Sequence, residues 1–144
     1  MEKVKEVPYG VADFVTVMEQ NLYYVDKTMF IPELEKQPRN LFFIRPRRFG
    51  KSIFLSMLHS YYDCNQSAKF QSLFGNLWIG QHPTELQGKY QVLFLDFSQV
   101  SGNIDSLERN FDFYCSVKLD GFIRRYGESY SEETREKVRK AEYA

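Results

Sequence analysis

Leu41-Phe42-Phe43-Ile44-Arg45-Pro46-Arg47-Arg48-Phe49-Gly50-Lys51-Ser52 decides how this chain is read. Four apolar residues open the stretch, with turn signals on either side: Pro38-Arg39-Asn40 before and Pro46 after. A short bounded apolar run of this kind suits a buried strand. Pro46 and Gly50 bracket a loop at 45–50. From Lys51 the period becomes helical, with Phe54, Met57, Leu58 and Tyr61 on one face and a stop near Asp63-Cys64-Asn65. Strand, basic loop, Gly-Lys-Ser, helix is the order of a phosphate-cradling loop. Gly50 lets the backbone approach a phosphate without a Cβ in the way. The turn into the helix aims free N–H groups and the positive dipole end at one spot. Lys51 supplies an ammonium for the outer phosphates, and Ser52 a hydroxyl for Mg²⁺. The general pattern has a glycine at the place of Arg45, so the match is incomplete. An ordinary helix start behind a solvated basic loop is the competing reading.

Charge around the stretch is segregated. The whole chain carries 19 basic and 19 acidic residues, for a net charge of zero. That balance disfavours a nucleic-acid or membrane binder driven by global charge. Yet no Asp or Glu falls between Glu35 and Asp63, where Lys36, Arg39, Arg45, Arg47, Arg48 and Lys51 all lie. Like charges so clustered repel unless solvent or an anion screens them. Arg47 and Arg48 could grip phosphate oxygens bidentately, or pair with carboxylates elsewhere in the fold. The aromatics Phe42, Phe43, Phe49, Phe54, Tyr61 and Tyr62 interleave with these cations. Such interleaving also fits a non-enzymatic nucleic-acid module that stacks bases, although at strand and helix spacing aromatics usually belong to a core.

The rest of the chain supports one domain of 144 residues with a packed core, since 13 Phe and 10 Tyr supply ample apolar volume. Residues 1–10 read as a leader ending at Pro8 and Gly10. The segment 11–20 reads as a short amphipathic helix, followed by a stop at Asn21 and an extended stretch 22–25. A helix capped by Asp26 or Thr28 runs to about Lys36, with Pro32 in its first turn. A short helix near 68–74, a turn at Gly75-Asn76 and a polar loop 80–88 come next. Val92 to Phe97 is a second apolar run, hence a second buried strand. A long helix 105–126 ends at Gly127, and Ser131 opens a last charged helix. Strands separated by helices imply an α/β fold with a parallel sheet. Two strands do not finish such a sheet, so the chain reads as part of something larger, with a compact α+β domain as the alternative. Asp96 ends the second apolar run, where it could serve Mg²⁺ or cap the next turn. His59 and His82 have no metal-type spacing, and Cys64 and Cys115 read as small core residues. No apolar run approaches the ~20 residues of a membrane span. No secretory signal or disulfide framework is visible, so the expected compartment is the cytoplasm.

Phe43-Ile44-Arg45-Pro46-Arg47-Arg48-Phe49-Gly50-Lys51-Ser52 resembles the R-P-R-R-F-G-K-[ST] signature of the bacterial AAA-ATPase-like family. A second marker agrees: Tyr9-Gly10-Val11-Ala12-Asp13-Phe14, then Tyr23-Tyr24-Val25-Asp26-Lys27-Thr28, is similar to that family's opening. The resemblance covers about residues 8–125. It implies a P-loop ATPase domain over 11–126 that binds ATP with Mg²⁺, often fused to a C-terminal nuclease-like domain of the PD-(D/E)XK type. It further implies that 127–144 begins a remainder, and that the acidic Walker B strand lies beyond this chain. Nucleotide contacts would come from Arg47, Arg48, Phe49, Gly50, Lys51 and Ser52, with Mg²⁺ on Ser52 and, less directly, Asp96. Hydrolysis would need residues this chain lacks. Tyr23, Tyr24 or the Asp26-Lys27-Thr28 element would shape an adenine site.

Overall fold

A computed structural model of the chain describes residues 4–140, in two compact units divided between Tyr90 and Gln91. The first unit is built on one helix. The segment predicted from Lys51 forms α3, Lys51–Tyr62, which ends where Asp63 turns to extended backbone. Phe54, Met57 and Tyr61 on its buried face join Phe14, Ile31, Leu73, Phe74 and Ile79 in the core. Three shorter helices that precede or follow it in sequence supply the first four of those partners: α1 (Phe14–Glu19), α2 (Ile31–Glu35, entered through a 3-10 turn at Thr28–Phe30) and α4 (Phe70–Phe74). Pro32 sits in the first turn of α2, where its missing N–H costs nothing. A fourth helix, α5 (Trp78–Gln81), was not expected and runs into the start of the polar loop expected at 80–88. Its Ile79 is fully buried, which explains why so short a helix forms.

Two polar ties fix the early residues to this core. Asp13 caps α1, accepting from the Thr16 N–H and hydroxyl at 2.8 and 2.7 Å. Its other oxygen accepts from Ser56 Oγ of α3 at 3.1 Å, and that hydroxyl accepts the Phe14 N–H at 2.9 Å. Asp26 Oδ1 accepts from the Thr28 N–H and hydroxyl at 2.8 and 2.7 Å, while Oδ2 accepts the Trp78 N–H at 2.7 Å. Thr28 Oγ1 in turn accepts the Ile79 N–H at 3.1 Å, so one aspartate and one threonine hold the start of α5. The far end of α3 is clamped as well. Tyr62 and Thr84 both donate to Glu35 Oε1, at 2.9 and 2.8 Å. The Gly88 and Tyr90 N–H groups donate to the Tyr61 and Tyr62 carbonyls.

The expected parallel sheet is absent: among the described residues there is no strand, only an isolated parallel bridge between Asp63 and Tyr90. The α/β P-loop architecture inferred from the two apolar runs is therefore wrong for this structure. A strand exists only through the ladder that satisfies its N–H and C=O groups. Residues 41–44 form no ladder; Phe42 and Ile44 are 92% and 86% exposed, and only Phe43 finds a ring to stack on, that of Phe54 at 5.3 Å.

In the second unit the other run, expected as a strand at 92–97, is tied to a helix and its C-cap instead of a neighbouring strand. The Val92 and Asp96 N–H groups donate to the hydroxyls of Tyr126 and Tyr114, at 3.1 and 2.6 Å. Tyr114 belongs to α6 (Ile104–Arg125), and Tyr126 is its C-cap. Asn103 caps the start of α6 and Ser131 that of α7 (Glu132–Arg139). The charged run of α7 is a solvated face, carrying Glu133–Lys137 and Glu132–Arg135 pairs at 2.9 and 3.2 Å. No helix among the described residues is long and apolar enough to cross a membrane.

Candidate functional site

The basic loop closes onto the first turn of α3. Arg47 and Arg48 form a turn, and Arg48 adopts φ +67°, a left-handed conformation that a non-glycine side chain takes at a cost. Gly50 follows with φ +74° and ψ 22°, so the chain enters the helix from a left-handed residue. The Lys51 ammonium folds back over the loop and donates to the Arg45 and Pro46 carbonyls at 2.7 and 2.8 Å. It is thus held by neutral acceptors at the mouth of the loop. Ser52 is exposed in the first helical turn. Arg47, Arg48 and Phe49 are exposed too, with Phe49 at 62%. Burial at this end begins with Phe54, which anchors the helix one turn on.

Beside the loop lies an open cavity of about 350 Å³. Phe30 lines it from the 3-10 turn before α2 and Leu34 from α2 itself, Phe43 and Phe49 from the loop side, and Phe54 from α3. Lys27, Arg45, Glu33 and Gln37 provide its polar groups. Glu33 is paired with Lys36 at 2.8 Å, so the uncompensated charge on the lining is positive. The Lys27 ammonium lies 3.6 Å from the point a Cβ on Gly50 would occupy. A residue 23 positions upstream therefore reaches the same spot as the loop. The arginine that takes the place of the first glycine contributes to this cavity as well as offering its carbonyl to Lys51.

Other sequence expectations find different places. Tyr24 packs edge-on against Phe14 at 5.3 Å between ring centres, and burial together with the nearby Asp26 pushes its phenol pKa up. Tyr23 is 55% exposed. Asp26 and Thr28 are occupied in holding α5, leaving Lys27 as the member of that trio that faces the cavity. Asp96, in the second unit, caps the 3-10 turn Phe97–Gln99 by accepting from the Ser98 N–H and hydroxyl at 3.1 and 2.6 Å. Those bonds hold its carboxyl below the usual range. Among the described residues no three His, Cys, Asp or Glu side chains gather as a metal site. His82 approaches the Trp78 carbonyl at 3.0 Å, and His59 lies 3.4 Å from the buried Asp63.

Sequence reasoning named Lys27 only as part of the Asp26-Lys27-Thr28 element expected to shape an adenine site, and it missed the cavity that Lys27 lines. A signal was present: Lys27 sits between Asp26 and Thr28, both of which bond locally, and an Asx turn of that kind turns its middle residue outward.

Residues 8–143 match the model of the AAA-ATPase-like family, described as "Predicted AAA-ATPase". A stretch of 63 residues, 43% of this chain, is 43% identical to a protein of Azotobacter chroococcum mcd 1 described as "Uncharacterized protein in vnfD 5'region". That stretch spans 12% of the Azotobacter protein. No solved structure matches the chain.

Proposed function

This chain belongs to the predicted AAA-ATPase family, and from that premise we propose that residues 45–52 bind the phosphates of ATP. The observation that carries the proposal is the position of Lys51. Its ammonium rests on two carbonyls of the loop rather than on a carboxylate. Phosphate oxygens can replace those neutral acceptors with a gain, because they add the attraction of opposite charges to the hydrogen bonds the ammonium already makes. The left-handed Gly50 brings the first turn of α3 to the same place, adding the free N–H groups and dipole of a twelve-residue helix. Arg47 and Arg48 stand in solvent without an acid nearby in sequence, available as guanidinium forks. Phe49 and Gly50 shape the backbone between them and the lysine.

Ser52 fits a Mg²⁺ ion bound along with the nucleotide. Its hydroxyl is exposed next to Lys51, and Mg²⁺ takes most of its ligands from phosphate oxygens and water. The ion would neutralise charge between the outer phosphates. The proposal is one of binding and assigns no general base.

Calorimetric titration with Mg-ATP tests it. Lys51→Ala should weaken binding more than about tenfold, the loss expected for one charge-assisted contact. Equal affinity in the two proteins would refute the assignment.

A further inference from the structure

Resting on that reading, we propose that Lys27 is a second phosphate-binding cation of the site, and that the adjoining cavity seats the nucleoside. Three observations converge. Lys27 reaches Gly50 from a different part of the chain, with its ammonium close to where the loop meets α3. The cavity it lines, about 350 Å³, lies at the small end of the ~300–1,000 Å³ typical of ligand sites. Its walls are apolar and partly aromatic, while its rim carries the uncompensated cations Lys27 and Arg45.

That combination selects a ligand with a flat apolar body and an anionic tail. Phe30, Phe43 and Phe49 supply aromatic rings to the lining, the kind of side chain on which a base stacks. The Gln37 amide offers both a donor and an acceptor to the edge of a base. A purely apolar ligand would leave two cations beside it without a counter-ion, and a free polyphosphate would leave the aromatic walls in water. A nucleoside polyphosphate satisfies both halves, with its phosphates passing between Lys27 and the 45–52 loop.

The anchoring of Lys27 makes this grip specific. Asp26 and Thr28 on either side are fixed by hydrogen bonds to each other and to the start of α5. The backbone at Lys27 is thereby positioned before any ligand arrives, so ordering costs fall mainly on the side chain.

The test uses the full chain, with Mg-ATP and Mg-tripolyphosphate as separate calorimetric probes. Lys27→Ala should weaken both ligands by about tenfold, and Lys27→Arg should recover most of the loss. Leu34→Trp, which fills the cavity, should weaken ATP by about tenfold while leaving tripolyphosphate within about twofold of wild type. Gln37→Trp changes an exposed side chain at the rim and repeats this arm if Leu34→Trp is poorly folded by circular dichroism. Wild-type ATP affinity in Lys27→Ala, alongside a loss in Lys51→Ala, would overturn the role of Lys27 and leave the loop assignment standing. Parallel loss of ATP and tripolyphosphate in both cavity variants would overturn the nucleoside seat. If the wild-type chain bound neither probe, the proposed function itself would fall, and this inference with it.

Discussion

Replacing Asp26 with Ala removes one carboxylate and strands three donors. Thr28 N–H and Thr28 Oγ lose an acceptor at 2.8 and 2.7 Å, and Trp78 N–H loses one at 2.7 Å. Hydrogen bonds to a charged group contribute about 1.5–3 kcal/mol each, and a buried donor left unmet costs about 1–3 kcal/mol. Trp78 N–H is exposed, so water can replace its partner. The Thr28 donors are part-buried in a residue with no solvent-accessible surface, and carry most of the penalty. A loss of about 2–4 kcal/mol follows. With a urea slope of about 2 kcal/mol/M, the middle of the range for small proteins, the midpoint should fall by about 1–2 M. Trp78 is the only tryptophan and sits at the tie itself, so its fluorescence reports the transition directly. Asp26→Asn keeps one carbonyl acceptor for Thr28 but can turn an NH₂ toward the Trp78 N–H, and should cost about half as much. A midpoint for Asp26→Ala within about 0.2 M of wild type would refute the reading of Asp26 as the fastener between the Thr28 turn and α5.

Asp13 gives a pH prediction. Burial raises its pKa, but hydrogen bonds from Thr16 and then Ser56 outweigh that, with His59 assisting, and the carboxyl titrates below its ordinary value. A depressed folded pKa contributes stability above the unfolded value, and that stability is lost as pH falls through the folded one. The stability difference between wild type and Asp13→Asn, whose side chain still caps a helix, should therefore hold near neutrality and shrink below about pH 4 in urea titrations; a difference independent of pH would refute it. Arg48 gives a prediction about strain. Its φ of +67° costs a side chain about 1–2 kcal/mol that glycine avoids, so Arg48→Gly should be about 1 kcal/mol more stable than Arg48→Ala by urea denaturation, and equal stabilities would refute the left-handed assignment.

Helices were legible and strands were not, for one physical reason. Helix α3 is specified within its own sequence: Phe54, Met57 and Tyr61 repeat on one face, and every ladder bond closes inside the segment. The same holds for α6, expected from 105 to 126 and found at Ile104–Arg125. The runs at 41–44 and 92–97 have strand-like composition, but a strand is completed by another segment, and composition does not say whether one is there. The segment 91–96 finds tyrosine hydroxyls on and just after α6, twelve residues apart, which no reading of apolar runs anticipates. Helix α5 was missed because four residues with a central glycine give no period, and Ile79 alone carries its burial. At the candidate site, the loop and the lysine were legible because Gly-Lys-Ser is local. The cavity was not, since it joins Lys27 and Leu34 to Phe43 and Phe49 through tertiary packing.

The two stretches that carry the family resemblance divide their labour by burial. Phe14 and Thr28 have no accessible surface, and Asp13 and Asp26 spend their oxygens on fixed donors of the same unit. These residues set where α1 and α5 lie against α3. The side chains of the candidate site are exposed instead: Lys27 on the cavity, and Arg47, Arg48 and Phe49 on the loop. Helix α3 is held near its middle by Ser56 and at its far end by Tyr61 and Tyr62, so the position of Lys51 and Ser52 is set by the core. Among the described residues, the loop before Gly50 has no comparable anchor beyond the Lys51 ammonium and the Phe43 ring. Phosphate binding here would draw on a preset helix and lysine, and its ordering cost would be concentrated in the six residues from 45 to 50. The Lys51 bonds to the Arg45 and Pro46 carbonyls reduce that cost, because they already curl the loop over the helix start that the ligand would share.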